Sequence, residues 1–226
     1  MTSCAVADTK PQAGPQARLY YVHDPMCSWC WAYRSCLLEL RERLPADITW
    51  QNVLGGLAPD TDRPMPEQTR RMIQDHWRQI EATVGSEFNF EFWTKCQPRR
   101  DTYKACRAVI AAANQGAEEA MIESIQRAYY LRAMNPSEPE TLADLALELQ
   151  MNREVFIQDL NSERTENELR RQFELRDRLR VNRFPSLVLC RNSVCSVIGH
   201  DYCSAQTSLE AIQRCLNTGA QSEAAC

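Results

Sequence analysis

The chain has 226 residues, of which 44% are hydrophobic and 25% are charged, an ordinary balance for a globular protein. Its 26 basic and 30 acidic side chains give a net charge of −4, which argues against a nucleic-acid partner because phosphate binding requires a basic face. Apolar runs such as 108–113 are far shorter than the roughly 20 residues that cross a bilayer, so we also expect no membrane partner.

The N-terminal segment 1–17 is rich in Ala, Gln and Pro, and it lacks the basic and apolar regions of a signal peptide. We therefore predict a flexible N-terminal tail and a cytoplasmic location.

An aromatic and β-branched run, 19–23, predicts the first strand, which the dipeptide Asp24-Pro25 ends. Apolar residues then recur at helical spacing and predict a helix that continues to Pro45. The run 48–54 predicts a second strand. This order of strand, helix and strand is a βαβ unit, and it places the sequence Cys27-Ser28-Trp29-Cys30 at the start of the helix, on the carboxyl edge of the sheet.

The middle of the chain predicts only helices, separated by prolines, glycines and capping residues. Ser137 and Glu140, for example, have the spacing of a capping box. Strands return at 186–190 and 194–198, joined by a tight turn, and a final helix runs to about Leu216.

The predicted fold class is therefore α/β, with the order β-α-β, a large all-helical insertion, and β-β-α. We divide the chain into a flexible N-terminal tail (1–17), a sheet domain in two pieces (18–60 and 181–217), a helical insertion domain (61–180) and a C-terminal tail (218–226).

Four segments resemble one known family. They are Asp24-Pro25-Met26-Cys27-Ser28-Trp29-Cys30-Trp31-Ala32, Leu54-Gly55-Gly56-Leu57-Ala58-Pro59, Gln97-Pro98-Arg99-Arg100 and Asn135-Pro136-Ser137. Through them the chain resembles the DsbA-like family of bacterial protein-disulfide isomerases, over about 18–216. The resemblance implies a thioredoxin-like fold with a helical insertion, and thiol–disulfide oxidoreductase chemistry. It also implies that Cys27 and Cys30 are the redox-active pair and that Pro185 is a cis-proline beside them.

The predicted position of the two cysteines accounts for their chemistry. A cysteine at a helix N-terminus faces unpaired backbone N–H groups and the positive end of the helix dipole, and both favour the thiolate, which is the attacking nucleophile. We expect Cys27 to be the attacking cysteine and Cys30, one turn deeper, to resolve the mixed disulfide. Ser28 and Trp29 lie between them and would tune the reduction potential.

Substrate contacts are expected beside Pro185, where an extended substrate segment could pair as an extra strand while Phe184 and Trp29 supply apolar contact. The implied partners are cysteine-containing proteins or peptides and a thiol reductant or oxidant that recycles the site, with no organic cofactor. Glutathione is a candidate co-substrate. Arg99 and Arg100 could attract one of its carboxylates, although a solvated bend is the simpler interpretation.

Two further cysteines, Cys190 and Cys195, flank the predicted hairpin turn. A zinc site at Cys27 and Cys30 would need this pair as its other ligands, but Cys190 lies roughly 16 Å along the strand from Pro185, so we predict no metal. A two-residue turn would place Cys190 and Cys195 directly opposite each other, close enough for a second disulfide. Because the cytosol is reducing, the sequence favours two free thiols over that disulfide.

His23 ends the first predicted strand, close to Cys27. It could stabilise the Cys27 thiolate or move a proton. A histidine that is only hydrogen-bonded at a strand end is the favoured interpretation.

The sequence thus predicts an enzyme that reduces or isomerises protein disulfides through Cys27 and Cys30. One alternative is a glutathione-dependent isomerase or transferase similar to the kappa class, a resemblance that the presence of both cysteines weakens. The other is a non-catalytic, chaperone-like binding module in which the helical insertion holds unfolded chains.

Overall fold

The computed structural model of the protein describes residues 17–223, with the side chains described to residue 217. Within these residues the backbone forms one four-stranded sheet in the order β2-β1-β3-β4. The strands are β1 Ala17–His23, β2 Ile48–Leu54, β3 Ser186–Arg191 and β4 Val194–Ile198. β1 pairs with β2 in parallel and with β3 antiparallel, and β3 pairs with β4 antiparallel. The predicted βαβ unit and the predicted C-terminal hairpin are confirmed.

Helices α1 Ser28–Ala32 and α2 Arg34–Arg43 connect β1 to β2, and α10 Gln206–Glu223 follows β4. Seven helices stand between β2 and β3 in the described chain and form the insertion. They are α3 Glu67–Val84, α4 Phe92–Lys95, α5 Tyr103–Ala113, α6 Glu118–Tyr130, α7 Pro139–Glu148, α8 Arg153–Leu160 and α9 Glu163–Arg178. A thioredoxin-like α/β fold with a large helical insertion is therefore the architecture of this chain.

Successive side chains of each strand point to opposite faces of the sheet, and both faces are covered. On one face, Leu19 and Tyr21 of β1 pack with Leu40 of α2 and Ile212 of α10. On the other face, residues of the sheet pack with the end of α9 and the segment after it. The sheet contributes Val22, Val53 and Val188, and the chain at and after the end of α9 contributes Leu179 and Val181. Burial on both faces fixes the register of β1, whose last residue immediately precedes the segment that carries the two cysteines.

The insertion has its own core, organised around the fully buried Trp77 of α3. The rings of Phe88, Trp93 and Tyr130 lie 5.0, 5.0 and 5.4 Å from the Trp77 ring. Trp31 of α1 stacks on Tyr130 at 5.6 Å, so the insertion packs directly against the helix that begins at Cys27. None of the described helices is long and apolar enough to span a membrane.

The helix predicted after the cysteines is interrupted at Tyr33, which closes α1 and opens α2. The Tyr33 ring is fully buried, and its hydroxyl shares a 3.2 Å hydrogen bond with the hydroxyl of Ser208 in α10. The apolar residues at helical spacing are Tyr33, Leu37, Leu40 and Leu44, of which the first three are buried and Leu44, the C-cap residue of α2, is half-buried.

Two other expectations about helix ends are wrong. Ser137 does not cap α7, because its hydroxyl donates instead to the carbonyl of Asp101 at 2.9 Å, and the N-cap residue is Glu138 without a side-chain hydrogen bond. α10 does not end near Leu216 but runs to Glu223, so the predicted tail 218–226 begins as helix. Ala, Gln and Glu are strong helix formers, and they outweigh the glycine at 219. The predicted tail 1–17 lies outside the described residues except for Ala17, which already belongs to β1.

Candidate active site

Cys27 is the N-cap residue of α1. Its backbone is extended, with φ −84° and ψ 119°, and its carbonyl accepts the N–H of Trp31 at 3.0 Å, which closes the first helical turn. The residue is 6% exposed, and its Sγ lies 3.6 Å from the carbonyl oxygen of Phe184, just before β3. The sulfur of Cys27 therefore stands at the edge of the interior, where a helix start and the entry to a strand meet.

Cys30 lies three residues further along α1 and is fully buried. Burial raises the pKa of the Cys30 thiol well above its ordinary value, and the neighbouring sulfur of Cys27 raises it further. A backbone hydrogen bond from Asp24 acts in the opposite direction. The two cysteines are thus inequivalent: Cys27 is at the surface edge, and Cys30 is enclosed and protonated near neutral pH.

Phe184 and Pro185 form the wall opposite the cysteines. The peptide bond between them is cis, and Pro185 is buried at the start of β3. The ring of Phe184 lies directly on Gly55, because a Cβ built on that glycine would be 2.2 Å from two of the ring carbons. A residue without a side chain at position 55 is therefore what allows Phe184 to stand beside Cys27.

Asp24 holds the turn before Cys27 in place, a role that the sequence analysis did not assign. Its buried carboxylate accepts the N–H of Met26 at 2.8 Å, the N–H of Leu57 at 2.7 Å and the hydroxyl of Thr102 at 2.6 Å. Burial raises the pKa of this carboxyl group, and the hydrogen bonds oppose that shift. The signal in the sequence is the Asp at the first position of a turn, which bonds the backbone two residues on. The partners at 57 and 102 have no such local signal.

His23 is fully buried, and its ring stacks on Tyr21 at 4.8 Å. The favoured interpretation of a hydrogen-bonded histidine is wrong within the described chain, because neither ring nitrogen has a hydrogen-bond partner there. Burial lowers the pKa of His23 to about 3, so the ring is neutral at pH 7. A neutral ring brings no positive charge to the Cys27 thiolate.

A cavity of about 370 Å³ opens beside Cys27. Ser28, Trp29 and Phe184 line it together with apolar side chains of the insertion. These include Met65, Met72, Ile73, Trp77 and Tyr129. The cavity therefore brings together Trp29 and Phe184, two of the three predicted substrate-contact residues, whereas Pro185 and His23 are not part of its wall. Arg99, Arg100 and Arg183 complete the lining with positive charge.

The hairpin pair, Cys190 and Cys195, is joined by a disulfide, so the favoured prediction of two free thiols is wrong. The two residues are directly opposite in the β3–β4 register, with Cα atoms 4.1 Å apart. Asn192 and Ser193 form the two-residue turn with φ of 49° and 66°, the left-handed backbone typical of tight hairpins. This turn brings the sulfurs together whatever the compartment. The disulfide also removes the pair as the second half of a zinc site.

Solved structures with the same fold include several disulfide oxidoreductases. A candidate protein disulfide isomerase from Nitrosomonas europaea is 26% identical, with a TM-score of 0.78 over 91% of this chain and 98% of that one. The cytosolic disulfide reductase DsbM from Pseudomonas aeruginosa is 24% identical, with a TM-score of 0.70 over 90% of this chain and 98% of that one. A second structure of DsbM contains glutathione.

Two curated relatives are named ClpXP adapter protein SpxH. The protein from Halalkalibacterium halodurans is 22% identical over 193 residues, and the protein from Bacillus subtilis is 21% identical over 172 residues. The matches cover 83% and 75% of this chain but 63% and 56% of the relatives, so the chain spans about six-tenths of the length of those proteins.

A family model described as thioredoxin matches residues 20–200, which include the cysteine pair, the whole insertion and the hairpin. The chain therefore belongs to the thioredoxin family, and its architecture is the DsbA-like one.

Proposed function

We propose that this protein is a thiol–disulfide oxidoreductase that reduces or isomerises disulfides in protein and peptide substrates. The observation that carries the proposal is the arrangement of Cys27 and Cys30. One sulfur stands at a helix start beside an apolar cavity, and the other is buried one turn deeper behind it. This asymmetry suits an attacking and a resolving cysteine.

In the first step the Cys27 thiolate attacks a substrate disulfide, forms a mixed disulfide with one sulfur and releases the other as a thiolate, which takes a proton from solvent. In the second step Cys30 loses its proton and attacks the sulfur of Cys27. The substrate leaves as a dithiol, and the enzyme leaves as the Cys27–Cys30 disulfide. Two molecules of a small thiol then reduce that disulfide and depart as their own disulfide.

The wall opposite Cys27 supports a docking role for Trp29, Phe184 and Pro185. The carbonyl of Phe184 is within 3.6 Å of the Cys27 sulfur, so backbone that pairs at this point would bring a substrate sulfur close to the nucleophile. Trp29 packs on Tyr202, with ring centroids 5.0 Å apart, and also lines the cavity. Ser28, also in the lining, is our candidate for tuning the potential.

Glutathione is the reductant that we propose for the last step, in a cytoplasmic and net reducing role. The likeness to the cytosolic reductase DsbM, one of whose structures contains glutathione, supports this choice. The presence of both cysteines weighs against a kappa-like transferase or isomerase. The SpxH relatives, named as adapter proteins, are the reason to keep a non-catalytic binding role as the second candidate.

The test is disulfide reductase turnover with glutathione as the reductant, in wild-type protein and in single cysteine variants. Cys27→Ser should lose more than about 10³-fold in rate, because it removes the nucleophile. Cys30→Ser should accumulate the mixed disulfide, detected as a mass increase equal to the substrate. Cys203→Ser, which changes an exposed free cysteine, is the matched control and should keep full activity.

Full reductase activity in Cys27→Ser would overturn the proposal. Suppression of aggregation by a Cys27→Ser/Cys30→Ser double variant, together with no turnover by the wild type, would favour the binding module instead.

A further inference from the structure

The cavity beside Cys27 has an apolar floor and a positively charged rim. Met26 and Met65 are buried in this floor, whereas Met72, which also lines the cavity, is exposed, and thioether side chains adapt to varied neighbours. Arg99, Arg100 and Arg183 lie in the same lining. The volume of about 370 Å³ is within the range of about 300–1,000 Å³ that is typical of ligand cavities.

Two charged groups in this lining are already neutralised by neighbours. Arg99 donates to Glu138 at 2.5 Å, and Lys104 donates to the buried carboxylate of Asp101 at 2.7 Å. Neither Arg99 nor Asp101 is therefore left to attract or repel a charged ligand strongly.

Arg100 and Arg183 differ from that pattern. Both are exposed, and neither forms an ion pair with a residue in the described part of the chain. Burial raises the pKa of Tyr129 in the cavity wall, and Arg100 is close enough for its positive charge to oppose that rise. Arg183 directly precedes Phe184, whose carbonyl contacts the Cys27 sulfur. Two guanidinium groups with unused charge thus border the space that a substrate disulfide must enter.

We infer that the cavity selects disulfides that carry a carboxylate next to the reacting sulfur, and that Arg100 and Arg183 are the residues that determine this preference. The inference rests on the proposed function, because it assigns a substrate class to the same site. A guanidinium group binds a carboxylate through paired N–H donors. A carboxylate held at the rim would place the adjacent sulfur over Cys27, with the apolar part of the substrate on the methionine floor.

Carboxylates near a disulfide occur in acidic peptide segments and in glutathione disulfide. The assay therefore uses capped tripeptides with a central cysteine flanked by two Glu, two Gln or two Lys, each as its homodisulfide, together with glutathione disulfide and an uncharged small disulfide. The measurement is the second-order rate at which each oxidises the fully reduced protein in a single turnover, followed by tryptophan fluorescence. No recycling system is needed.

We expect the wild type to react fastest with the Glu peptide and slowest with the Lys peptide. Arg100→Gln and Arg183→Gln should each lower the rate with the Glu peptide by about two- to fivefold and leave the Gln peptide unchanged, as expected for partly exposed charge pairs. The double variant should lose the preference. Arg164→Gln, which changes an exposed arginine of α9 outside the cavity lining, should behave as wild type. The preference should also shrink in 1 M salt, where the Debye length falls to about 3 Å.

Faster reaction of the Glu peptide than of glutathione disulfide would identify acidic segments as the preferred source of the carboxylate, and the reverse order would identify glutathione. Equal rates for the Glu, Gln and Lys peptides, or a preference that survives in the double variant, would overturn the inference while leaving the proposed function intact. Failure of every disulfide to react, the uncharged one included, would overturn the proposed function and this inference with it.

Discussion

Two cysteine pairs lie near opposite ends of β3, and their surroundings differ. Cys27 and Cys30 are free thiols next to Phe184, where the chain enters the strand. Cys190 and Cys195 are joined by a disulfide across the turn where the strand leaves. The first pair has a helix start, a buried partner sulfur and a cavity around it, whereas the second closes a hairpin between the half-buried Cys190 and the exposed Cys195.

The comparison shows that spacing alone does not decide what a cysteine pair does. A helix start favours the thiolate of its first cysteine, and an adjacent cavity admits a second molecule. The cross-strand pair has its sulfurs already directed at each other by the turn at Asn192 and Ser193. We therefore assign catalysis to the first pair and a local structural role to the second.

The largest expected effect is the difference in turnover between variants of the two cysteine pairs. Cys190→Ser/Cys195→Ser should keep turnover within about twofold of wild type, in contrast to the loss of more than about 10³-fold in Cys27→Ser. The free energy of unfolding of the hairpin variant should fall by about 2 kcal/mol, because a short closed loop restricts the unfolded chain only modestly. Denaturant titration with and without dithiothreitol measures this difference, which should vanish in the reductant. A hairpin variant as inactive as Cys27→Ser would reverse the assignment.

The next effect concerns the buried His23 at the end of β1. The pKa of His23 is lowered to about 3, so between pH 3 and 6.5 the unfolded chain binds a proton at this residue and the folded chain does not. Stability must therefore fall as the pH drops through 6.5, and His23 should contribute about 2 kcal/mol of that loss between pH 7 and pH 5.

His23→Phe, which keeps a ring against Tyr21, should flatten this part of the curve of unfolding free energy against pH. His76→Phe changes an exposed histidine and is the matched control. An unchanged slope in His23→Phe would contradict a lowered pKa of His23 in the folded protein.

The smallest effect tests the wall opposite Cys27. Gly55→Ala would put a methyl group where the ring of Phe184 now lies, so the ring must move from its present position in the cavity wall. We expect kcat/KM for peptide disulfides to fall by about tenfold with little change in fold, because small displacements at a reacting centre are costly. Gly199→Ala, whose added Cβ would meet nothing within 4 Å, should leave kcat/KM unchanged. Equal values for both variants would show that Phe184 does not contact the substrate.

Much of the fold is predictable from the sequence because its signals are local. The run 19–23, the turn at Asp24-Pro25 and the run 48–54 each carry a clear strand or turn pattern, and they give the βαβ unit and the position of Cys27. The C-terminal hairpin is predictable for the same reason.

The parts of the fold and of the site that the sequence does not predict depend on contacts between residues that are distant in sequence. Asp24 binds Leu57 and Thr102, which are 33 and 78 residues away, and no local pattern indicates either bond. Ser137 has the spacing of a cap, but its hydroxyl donates to the carbonyl of the distant Asp101, and the N-cap residue of α7 is Glu138. Arg183 joins Arg100 at one cavity only because the insertion folds back on the sheet.

The hairpin disulfide escapes prediction for a different reason. The sequence indicates that Cys190 and Cys195 lie opposite each other, but a reducing compartment, if expected, favours free thiols over a disulfide. In the structure the tight turn decides the outcome, since it fixes the two Cα atoms 4.1 Å apart.

The central claim is that Cys27 and Cys30 form a reversible redox couple. The most direct test is to equilibrate the protein in glutathione buffers of graded potential, quench with an alkylating agent and map the modified cysteines by mass spectrometry. We predict that Cys27 and Cys30 lose and regain alkylation together, with one two-electron midpoint between about −270 and −120 mV, the interval from thioredoxin to DsbA. A pair that stays alkylated at every potential, and so never closes, would contradict the account.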